Sequence, residues 1–475
     1  MTTAAPSAST GAIEVRSIDY VPESERHGKV WHQGPFWFCG NFQPYTVAIG
    51  FIGPAMGLSL GWTSLASALG ILFGTFFMAF HASQGPWLGL PQMVQSRAQL
   101  GYRGVIVALG GTLFTYVGFN VIDTVIIDNG LNAVFGWGKP VIGLVITVVA
   151  AVLAIYGYDW LHRAFQVLFW ISLPLWLVLT AAILFGGAGG QAAPASGGFT
   201  WVAFMVQFAV AASYNITYAP YVSDYSRYLP RRTKTSHIVW SVFCGASAAP
   251  LWLIPIGAWM ATRLGVTDTL VGIHDAGENV LTGLGSVLTV VSVLVLVATM
   301  GLNAYSGMLT VVTAVDTLRP VRPTRSIRIV TVLVLAVVWA LVGMLLIGDF
   351  STAFTNVQLI MLYVLVPWTA VNLVDYFFVR RGHYAITHLF RKDGIYGMWA
   401  WRGLVSYLLG LAAMVPFVVL SFFTGPVAEA MGGVDVAFAV GLIVGGGVYL
   451  LLCRTLDVSS EEDVVVASER ELVAS

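Results

Sequence analysis

Residues 213–232 read Ser213-Tyr-Asn-Ile-Thr-Tyr-Ala-Pro-Tyr-Val-Ser-Asp-Tyr-Ser-Arg-Tyr-Leu-Pro-Arg-Arg232 and follow a strongly apolar run, 201–212. Pro220 has no backbone N–H, so a helix through this stretch is expected to loosen about one turn earlier. Backbone groups freed at membrane depth are tolerated only where they line a cavity or are buried in protein. Broken helices of this kind form the substrate sites of many secondary transporters. The alternative is a tilted helix that leaves the membrane early.

The composition is that of a polytopic membrane protein. Of the 475 residues, 57% are hydrophobic and 10% are charged, and the mean hydropathy is +0.81. Soluble domains carry about 25% charged residues. The formal net charge is zero, which gives no bulk attraction to nucleic acid. The three cysteines lie far apart and suggest neither disulfides nor a metal site, and the polar N-terminus lacks a signal-peptide core.

Hydropathy predicts twelve transmembrane spans, and hence an all-α integral membrane domain over residues 36–453 with tails at 1–35 and 454–475. With the N-terminus inside, all of the 23 Lys and Arg residues except Lys139 and Arg263 fall on the cytoplasmic side. This asymmetry predicts that both termini are cytoplasmic. The predicted spans, numbered in chain order, are 36–60, 62–83, 104–127, 139–157, 164–187, 200–222, 236–262, 283–312, 329–347, 354–377, 403–423 and 432–453.

Twelve spans in a transporter allow two arrangements, namely two six-helix halves or two five-helix inverted repeats plus two C-terminal helices. The inverted repeat requires spans 1 and 6 to correspond and both to be interrupted. Span 1 carries Asn41-Phe-Gln-Pro-Tyr-Thr46 and then Gly50-Phe-Ile-Gly-Pro54, a polar, proline-bearing interruption like that before Pro220. The five-plus-five arrangement is therefore the prediction.

Span 3 carries three polar side chains on one helical face. Tyr116, Asn120 and Asp123 follow one another at spacings of four and three residues, which stacks them along the helix. An aromatic ring one turn from an amide suits a flat heterocycle, stacked on the ring and hydrogen-bonded at its edge. The alternative for Asn120 is an amide that joins two helices. Asp123 is expected nearer the outer surface, where it is either solvated or the acid that carries a coupling proton.

Other polar residues within the spans add candidates. Asn303 lies inside span 8, where an amide without a partner is costly. Gln43, beside the proline of span 1, either turns into the same cavity or lies at the interface. Asp224 and Arg227 are three residues apart at the inner end of span 6 and are expected to form a structural or gating pair. No catalytic constellation or nucleotide-binding glycine-rich loop is present in the sequence, so neither an enzyme nor a cofactor is predicted.

Two strings of residues resemble the nucleobase:cation symporter-1 family on its purine–cytosine permease side. They are Ser223-Asp-Tyr-Ser-Arg-Tyr-Leu-Pro230 and Gly85-Pro-Trp-Leu-Gly-Leu-Pro-Gln-Met-Val-Gln-Ser-Arg-Ala-Gln-Leu-Gly-Tyr-Arg-Gly104. The resemblance covers spans 1 to 10. It implies the LeuT-type fold, an inverted repeat of five helices plus two more.

The resemblance also implies roles for single residues. Tyr116 and Asn120 match the aromatic side chain and the amide that span 3 presents to the base. Tyr218 matches the second aromatic, on span 6, and Asn215 competes with it in another register. Asn303 matches the first of two span 8 asparagines that some members have.

The resemblance further bears on the coupling ion. Gly307 occupies the position of the second span 8 asparagine. Sodium-coupled relatives use neighbouring hydroxyl groups of span 8 as ligands, and this chain has Gly301-Leu302 there. The prediction is therefore a proton rather than sodium, although a shifted register that uses Ser306 would weaken it.

The sequence as a whole predicts a symporter that imports a nucleobase or related heterocycle across the plasma membrane by alternating access, together with a cation. One alternative is a symporter of the same fold for an amino acid or amine. An alternative of another class is a membrane-embedded enzyme or receptor. The residues do not choose among cytosine, adenine, hypoxanthine, allantoin and hydantoin.

Overall fold

The computed structural model describes residues 18–190, 197–321, 324–345 and 349–474, and these residues are predominantly helical. Within them, ten helices are long and apolar enough to cross a membrane, and they coincide with predicted spans 2 to 10 and 12. The main helices of these spans are Leu60–Ala82, Ile106–Phe135, Lys139–Tyr156, Tyr158–Leu184, Trp201–Ile216 with Ala219–Ser226, Thr235–Trp259, Leu284–Leu318, Arg325–Leu345, Phe350–Val374 and Ala437–Leu452.

Span 1 is interrupted, as the sequence predicts. It is divided into Gln33–Asn41, Pro44–Ile49 and Ile52–Ala55. Gln43 has an extended backbone between the first two pieces, and its side-chain oxygen accepts a 2.6 Å hydrogen bond from the Tyr45 amide. The side chain thus replaces a helical partner that the break removes, because an N-cap oxygen satisfies one of the free N–H groups of a helix start.

Span 6 breaks where the missing N–H of Pro220 requires it. The helix Trp201–Ile216 ends, Thr217 and Tyr218 form a turn, and Ala219–Ser226 continues as a second short helix. The amide of Tyr218 donates to the Asn215 carbonyl at 3.2 Å, a tighter pattern than that of an α-helix. Both interruptions that the five-plus-five repeat requires are therefore present.

The predicted end of span 11 is wrong. Its helix is Trp401–Met414, followed by the 3₁₀ turn Val415–Phe417. Pro416 lacks the N–H that a longer helix would need. Beyond it, Val419–Leu420 pairs antiparallel with Phe423–Thr424, an exception to the otherwise helical fold. Since span 1 is fragmented and span 11 is short, the count of twelve spans stays a prediction.

Several helices of the described residues lie outside the predicted spans, among them the short helices Gln84–Leu88, Gln92–Gln95, Arg97–Leu100 and Pro426–Ala430 and two longer ones. Thr269–Val280 lies between spans 7 and 8, and Glu462–Ala474 follows span 12 within the predicted C-terminal tail. Asp268 caps the first of them, since its side chain accepts hydrogen bonds from the amides of Leu270 and Val271. Both longer helices carry charged residues, which lower their hydropathy below that of a membrane span.

The spans form two packed groups. Spans 1, 2, 6 and 7 contact one another, and spans 3, 4, 8 and 9 form the second group, while span 12 packs on spans 10 and 11. Glycines let spans 2 and 6 approach closely: a Cβ atom at Gly70 would meet the carbonyl of Phe208, and one at Gly74 would meet that of Ala212. Small residues at such contacts are the usual means of packing membrane helices.

Both described ends of the chain lie on the same face. Glu23 accepts a hydrogen bond from the Arg231 amide in the loop after span 6, and the Arg231 guanidinium pairs with Glu469 of the C-terminal helix. The same helix region pairs with the loop after span 10, through Arg380–Glu461 at 2.9 Å. These ion pairs join the loop after span 6 and the end of span 10 to the C-terminal segment at one surface.

The contact between spans 2 and 6 gives a test of the packing. Gly74→Ala is expected to lower the thermal unfolding midpoint in detergent, because overpacking of a well-packed contact costs about 1–3 kcal/mol. Gly61→Ala is the matched control on the same helix, since a Cβ atom there meets nothing within 4 Å. Equal midpoints for the two variants would contradict the close approach of the backbones.

Candidate functional site

The two helix breaks face spans 3 and 8, and the polar residues predicted from the sequence are buried there. No one of them is more than 2% exposed. The structure brings four of them together through a fifth residue, Tyr221, which contacts or bonds to three of the four. We call this set the central cluster; its members are Tyr116, Asn120, Tyr218, Tyr221 and Asn303.

A directed chain of hydrogen bonds runs through the central cluster. Asn120 Nδ2 donates to the backbone carbonyl of Met300 at 3.1 Å, and Asn303 Nδ2 donates to Asn120 Oδ1 at 2.9 Å. The hydroxyl of Tyr221 donates to Asn303 Oδ1 at 3.0 Å. We call these three bonds the amide relay. Asn120 thus joins span 3 to span 8, which is the alternative role of an amide that joins two helices. Through Tyr221 the relay also reaches span 6.

Tyr116 packs between spans 6 and 8. Its ring meets that of Tyr221 edge-on, with 4.3 Å between the centroids, and its hydroxyl donates to the Pro220 carbonyl at 3.3 Å. A Cβ atom at Gly307 would lie 3.5 Å from the Cβ of Tyr116. The position where some relatives carry a second asparagine is therefore in contact with the span 3 aromatic side chain.

Tyr218 lies in the break of span 6 among other rings. It stacks on Phe119 with 5.8 Å between centroids and 12° between planes, and it lies 5.6 Å from Trp37. Its ring also meets the ring of Tyr221 edge-on, with 5.1 Å between the centroids. One face of Tyr218 is thus already paired with an aromatic ring, as a bound planar molecule would be.

Tyr221, Phe119 and Trp37 are absent from the residues predicted from the sequence. A signal for Tyr221 exists, because the tyrosines of span 6 recur at spacings of four and three residues, which places them on one helical face. This face continues across the break. The series consists of Tyr214, Tyr218, Tyr221, Tyr225 and Tyr228.

Gln43 reaches the break of span 6 at a neighbouring tyrosine. Its Nε2 donates to the hydroxyl of Tyr214 at 2.8 Å, and Thr46 Oγ1 lies 2.8 Å from the same hydroxyl. The Tyr214 ring is 5.6 Å from that of Tyr218. Gln43 therefore contacts the central cluster through Tyr214 and does not bond to the amide relay.

Asn215 bonds to residues of the surrounding helices. Its Nδ2 donates to Thr75 Oγ1 at 2.6 Å and to the Ala246 carbonyl at 3.0 Å, and its Oδ1 accepts from Asn41 Nδ2 at 2.8 Å. These contacts join span 6 to spans 1, 2 and 7. Of the two competing registers on span 6, the structure places Tyr218 in the central cluster and Asn215 outside it.

Asp123 is buried beside the cluster. Its side chain is 1% exposed, so the alternative of a solvated acid does not hold. Neither carboxyl oxygen has a hydrogen-bond partner among the described residues. A lone carboxyl in this position is chemically unsatisfied, as a group that exchanges a proton or a cation would be.

Two positions of span 8 near the amide relay have no side-chain oxygen, whereas Ser306, three residues after Asn303, is fully buried and its hydroxyl has no hydrogen-bond partner among the described residues. Gly301 has no side chain, and a Cβ atom there would lie 3.0 Å from Leu153 of span 4 and 3.3 Å from Leu161 of span 5. Leu302 is fully buried. Within the described residues, no group of three or more His, Cys, Asp or Glu side chains is arranged to hold a metal ion.

A family sequence model described as a permease for cytosine/purines, uracil, thiamine and allantoin matches residues 20–441. The chain belongs to this permease family. It is 34% identical over 450 residues to YxlA of Bacillus subtilis (strain 168), which carries the name of a purine-cytosine permease; the match covers 93% of the chain and 96% of YxlA. It is 25% identical to the purine-cytosine permease fcyB of Emericella nidulans, and the match covers 93% of this chain and 88% of fcyB.

Solved structures agree on the fold. The permease resembles Mhp1, a nucleobase-cation-symport-1 family transporter, in a closed conformation with bromovinylhydantoin bound; the TM-score is 0.73 at 19% identity, over 94% of this chain and 99% of that one. For the inward-facing conformation of Mhp1 the TM-score is 0.67 at 18% identity, and the match covers 95% of this chain and 99% of Mhp1. The LeuT-type fold expected from the sequence is thereby confirmed.

The contacts of Asn215 predict a structural role that can be measured. Asn215→Ala is expected to destabilise the permease by about 1–3 kcal/mol, because it leaves buried polar partners unpaired. Thermal unfolding in detergent provides the measurement, and Asn356→Ala, which removes an exposed amide bonded to Ser421, is the control. An unchanged midpoint together with lost ligand binding would instead make Asn215 a ligand contact.

Proposed function

We propose that this permease is a secondary active symporter that imports a nucleobase or related heterocycle, with a proton, by alternating access. The observation that carries the proposal is the central cluster, in which stacked rings and paired amides are enclosed between the two helix breaks. Flat heterocycles need both features, a ring face to stack on and donors or acceptors along the edge. The names of the relatives, purine-cytosine permeases, support the same substrate class.

We assign each member of the site a role in binding. Tyr218 and Tyr116 stack on the heterocycle, and Asn120 and Asn303 bond to its edge. Gln43 holds the span 1 break against Tyr214, beside the site. Binding replaces internal contacts, since the amides bond to each other while the cluster is closed. The permease thus exchanges protein–protein hydrogen bonds for protein–ligand ones of similar strength.

A second candidate is a cationic amine. The observation that favours it is the lone carboxyl of Asp123, which would pair with an ammonium group. A free amino acid fits less well, because its carboxylate needs a basic partner or a helix N-terminus, and no member of the central cluster is basic. An enzyme is excluded, since the relatives of this family are permeases and symporters.

We also propose that the permease lies in the plasma membrane with both termini in the cytoplasm. The basic residues predicted for the cytoplasmic side support this orientation. The contacts of Glu23 and Glu469 with the Arg231 loop support a common face for the two ends of the chain. The tails then correspond to residues 1–35 and 454–475, and the transport domain to 36–453.

Proton coupling has two supports in the chain. A hard cation such as sodium requires several converging oxygen atoms, and Gly301 and Leu302 provide no side-chain oxygen. Asp123 is the acid on the same helical face as Tyr116 and Asn120, and its carboxyl oxygens are unpaired. We propose that Asp123 carries the coupled proton while the site is closed.

The role of Asn120 predicts a loss of affinity. Asn120→Ala is expected to weaken binding of a transported base by about 1–3 kcal/mol, since an edge group of the ligand loses its partner. Binding to purified protein in detergent is the measurement. Asn132→Ala, near the end of the same helix and bonded to the Trp137 carbonyl, is the control. Wild-type affinity in a folded Asn120→Ala protein would remove Asn120 from the site.

The coupling proposal predicts which gradient drives uptake. Proteoliposomes with a pH gradient alone are expected to accumulate substrate, and those with a sodium gradient alone are not. Asp123→Asn should abolish accumulation while it preserves substrate exchange at equal pH, because the substituted amide cannot carry the proton.

The control for this experiment is Asp128→Asn. Asp128 is on the same helix but faces span 4, where its Oδ2 would lie 3.2 Å from a Cβ atom at Gly143. Accumulation driven by a sodium gradient alone would contradict proton coupling. Loss of accumulation in Asp128→Asn, with normal accumulation in Asp123→Asn, would assign the coupled proton to Asp128 instead of Asp123.

A further inference from the structure

Span 10 carries a buried amide that belongs neither to the central cluster nor to the amide relay. The side chain of Gln358 is fully buried, and neither its Nε2 nor its Oε1 has a hydrogen-bond partner among the described residues. Within that part of the chain, it is the one amide whose nitrogen and oxygen are both buried and unpaired. Buried polar groups are almost always bonded, and burying an amide without a partner costs free energy. An amide kept at that cost indicates a role other than packing.

Gln358 lies beside both helix breaks. Its backbone carbonyl accepts a 2.5 Å hydrogen bond from the hydroxyl of Ser213, near the end of the first helix of span 6. Phe354 lies one turn earlier on the same face of span 10, because residues four apart share a helical face. The ring of Phe354 packs on that of Tyr45 in the interrupted part of span 1, with 4.8 Å between the centroids. This face of span 10 is therefore turned toward the breaks.

Two other unpaired polar groups lie in the same part of the protein. The hydroxyl of Tyr45 and both carboxyl oxygens of Asp123 have no hydrogen-bond partner among the described residues. The ring of Tyr45 lies 5.3 Å from that of Phe119, which is one turn before Asp123 and stacks on Tyr218 of the central cluster. Hydrogen-bonding capacity that the fold does not use is thus concentrated beside the central cluster, and Gln358 contributes both a donor and an acceptor to it.

We propose that Gln358 is a specificity-determining residue that bonds to the exocyclic edge of a nucleobase. An amide places an acceptor beside a donor, and glutamine pairs in this way with adjacent groups on a base edge. Adenine and cytosine present a ring nitrogen that accepts beside an amino group that donates. Hypoxanthine and uracil present the reverse order, which the amide meets when it is turned over. This inference rests on the proposed function, because it adds an edge contact to the transported heterocycle.

Gln207 of span 6 is a matched control, since it is a buried glutamine with the opposite bonding. Its Oε1 accepts from the Gly53 amide at 2.7 Å, and its Nε2 donates to Ser67 Oγ at 2.8 Å and to the Ile49 carbonyl at 3.1 Å. It thereby satisfies backbone groups in the last two pieces of span 1. Replacing Gln207 leaves these partners unpaired, whereas replacing Gln358 removes side-chain atoms that have no partner in the described chain.

Thermal unfolding of the ligand-free permease in detergent separates the two glutamines. Gln207→Met is expected to lower the unfolding midpoint, because its buried partners lose their hydrogen bonds. Gln358→Met should keep the wild-type midpoint or raise it, since methionine is unbranched and adaptable and buries no unpaired amide. A midpoint for Gln358→Met as low as that for Gln207→Met would show that Gln358 is bonded within the fold, and would overturn the inference.

The edge contact is measured by binding of bases and of their parent rings without the exocyclic group. Purine is the parent of adenine and hypoxanthine, and pyrimidin-2-one is the parent of cytosine and uracil. The wild-type permease is expected to bind its best base more tightly than the parent. Gln358→Met should lower this ratio of affinities about tenfold, the effect of one hydrogen bond. In Gln207→Met the ratio should stay at the wild-type value.

Gln358→Leu repeats the binding test if Gln358→Met does not fold. A wild-type ratio in the folded variant would overturn the role of Gln358 and leave the proposed function intact. A wild-type permease that binds only hydantoin or allantoin would do the same, because the inferred ligand is an aromatic base. A wild-type permease that binds none of these heterocycles would overturn the proposed function itself.

Discussion

The structure depends on one constraint of the bilayer, that backbone groups freed from a helix must find partners inside the protein. Pro44 and Pro220 each remove a donor from a membrane helix. Around the first break, the side chain of Gln43 satisfies the Tyr45 amide. Around the second, the chain tightens at Tyr218 and packs against rings from spans 1 and 3. The centre of the permease is polar and buried because the backbone groups freed at both breaks must find partners inside the protein.

The amide relay connects the two groups of spans at that centre. Asn120 and Asn303 belong to spans 3 and 8 of one group, and Tyr221 belongs to span 6 of the other. A ligand that bonds to these amides competes with the bond between the groups. If the proposed substrate bonds to these amides, its binding and the relative motion of the groups are coupled through the same atoms, as alternating access requires.

The ion pairs at the face that carries both described chain ends connect the loop after span 6 to the end of span 10 through the C-terminal segment. Arg231 follows span 6, and Glu469 belongs to the C-terminal helix, whose neighbouring Glu461 pairs with Arg380 after span 10. Exposed pairs such as Arg231–Glu469 contribute little stability individually, so they can open without a large penalty.

The sequence by itself determined the membrane class, the positions of ten spans, both helix breaks and the polar face of span 3. These features are local, because hydropathy, proline and helical periodicity act within one segment. The tertiary structure alone decided that Asn120 pairs with Asn303, that Tyr221 bonds to Asn303, and that Asn215 bonds to spans 1, 2 and 7. It also decided that Asp123 is buried and that the C-terminal segment is a docked helix. Such contacts depend on the register and crossing of helices far apart in the chain, and the spacing of residues within one helix carries no record of its partner.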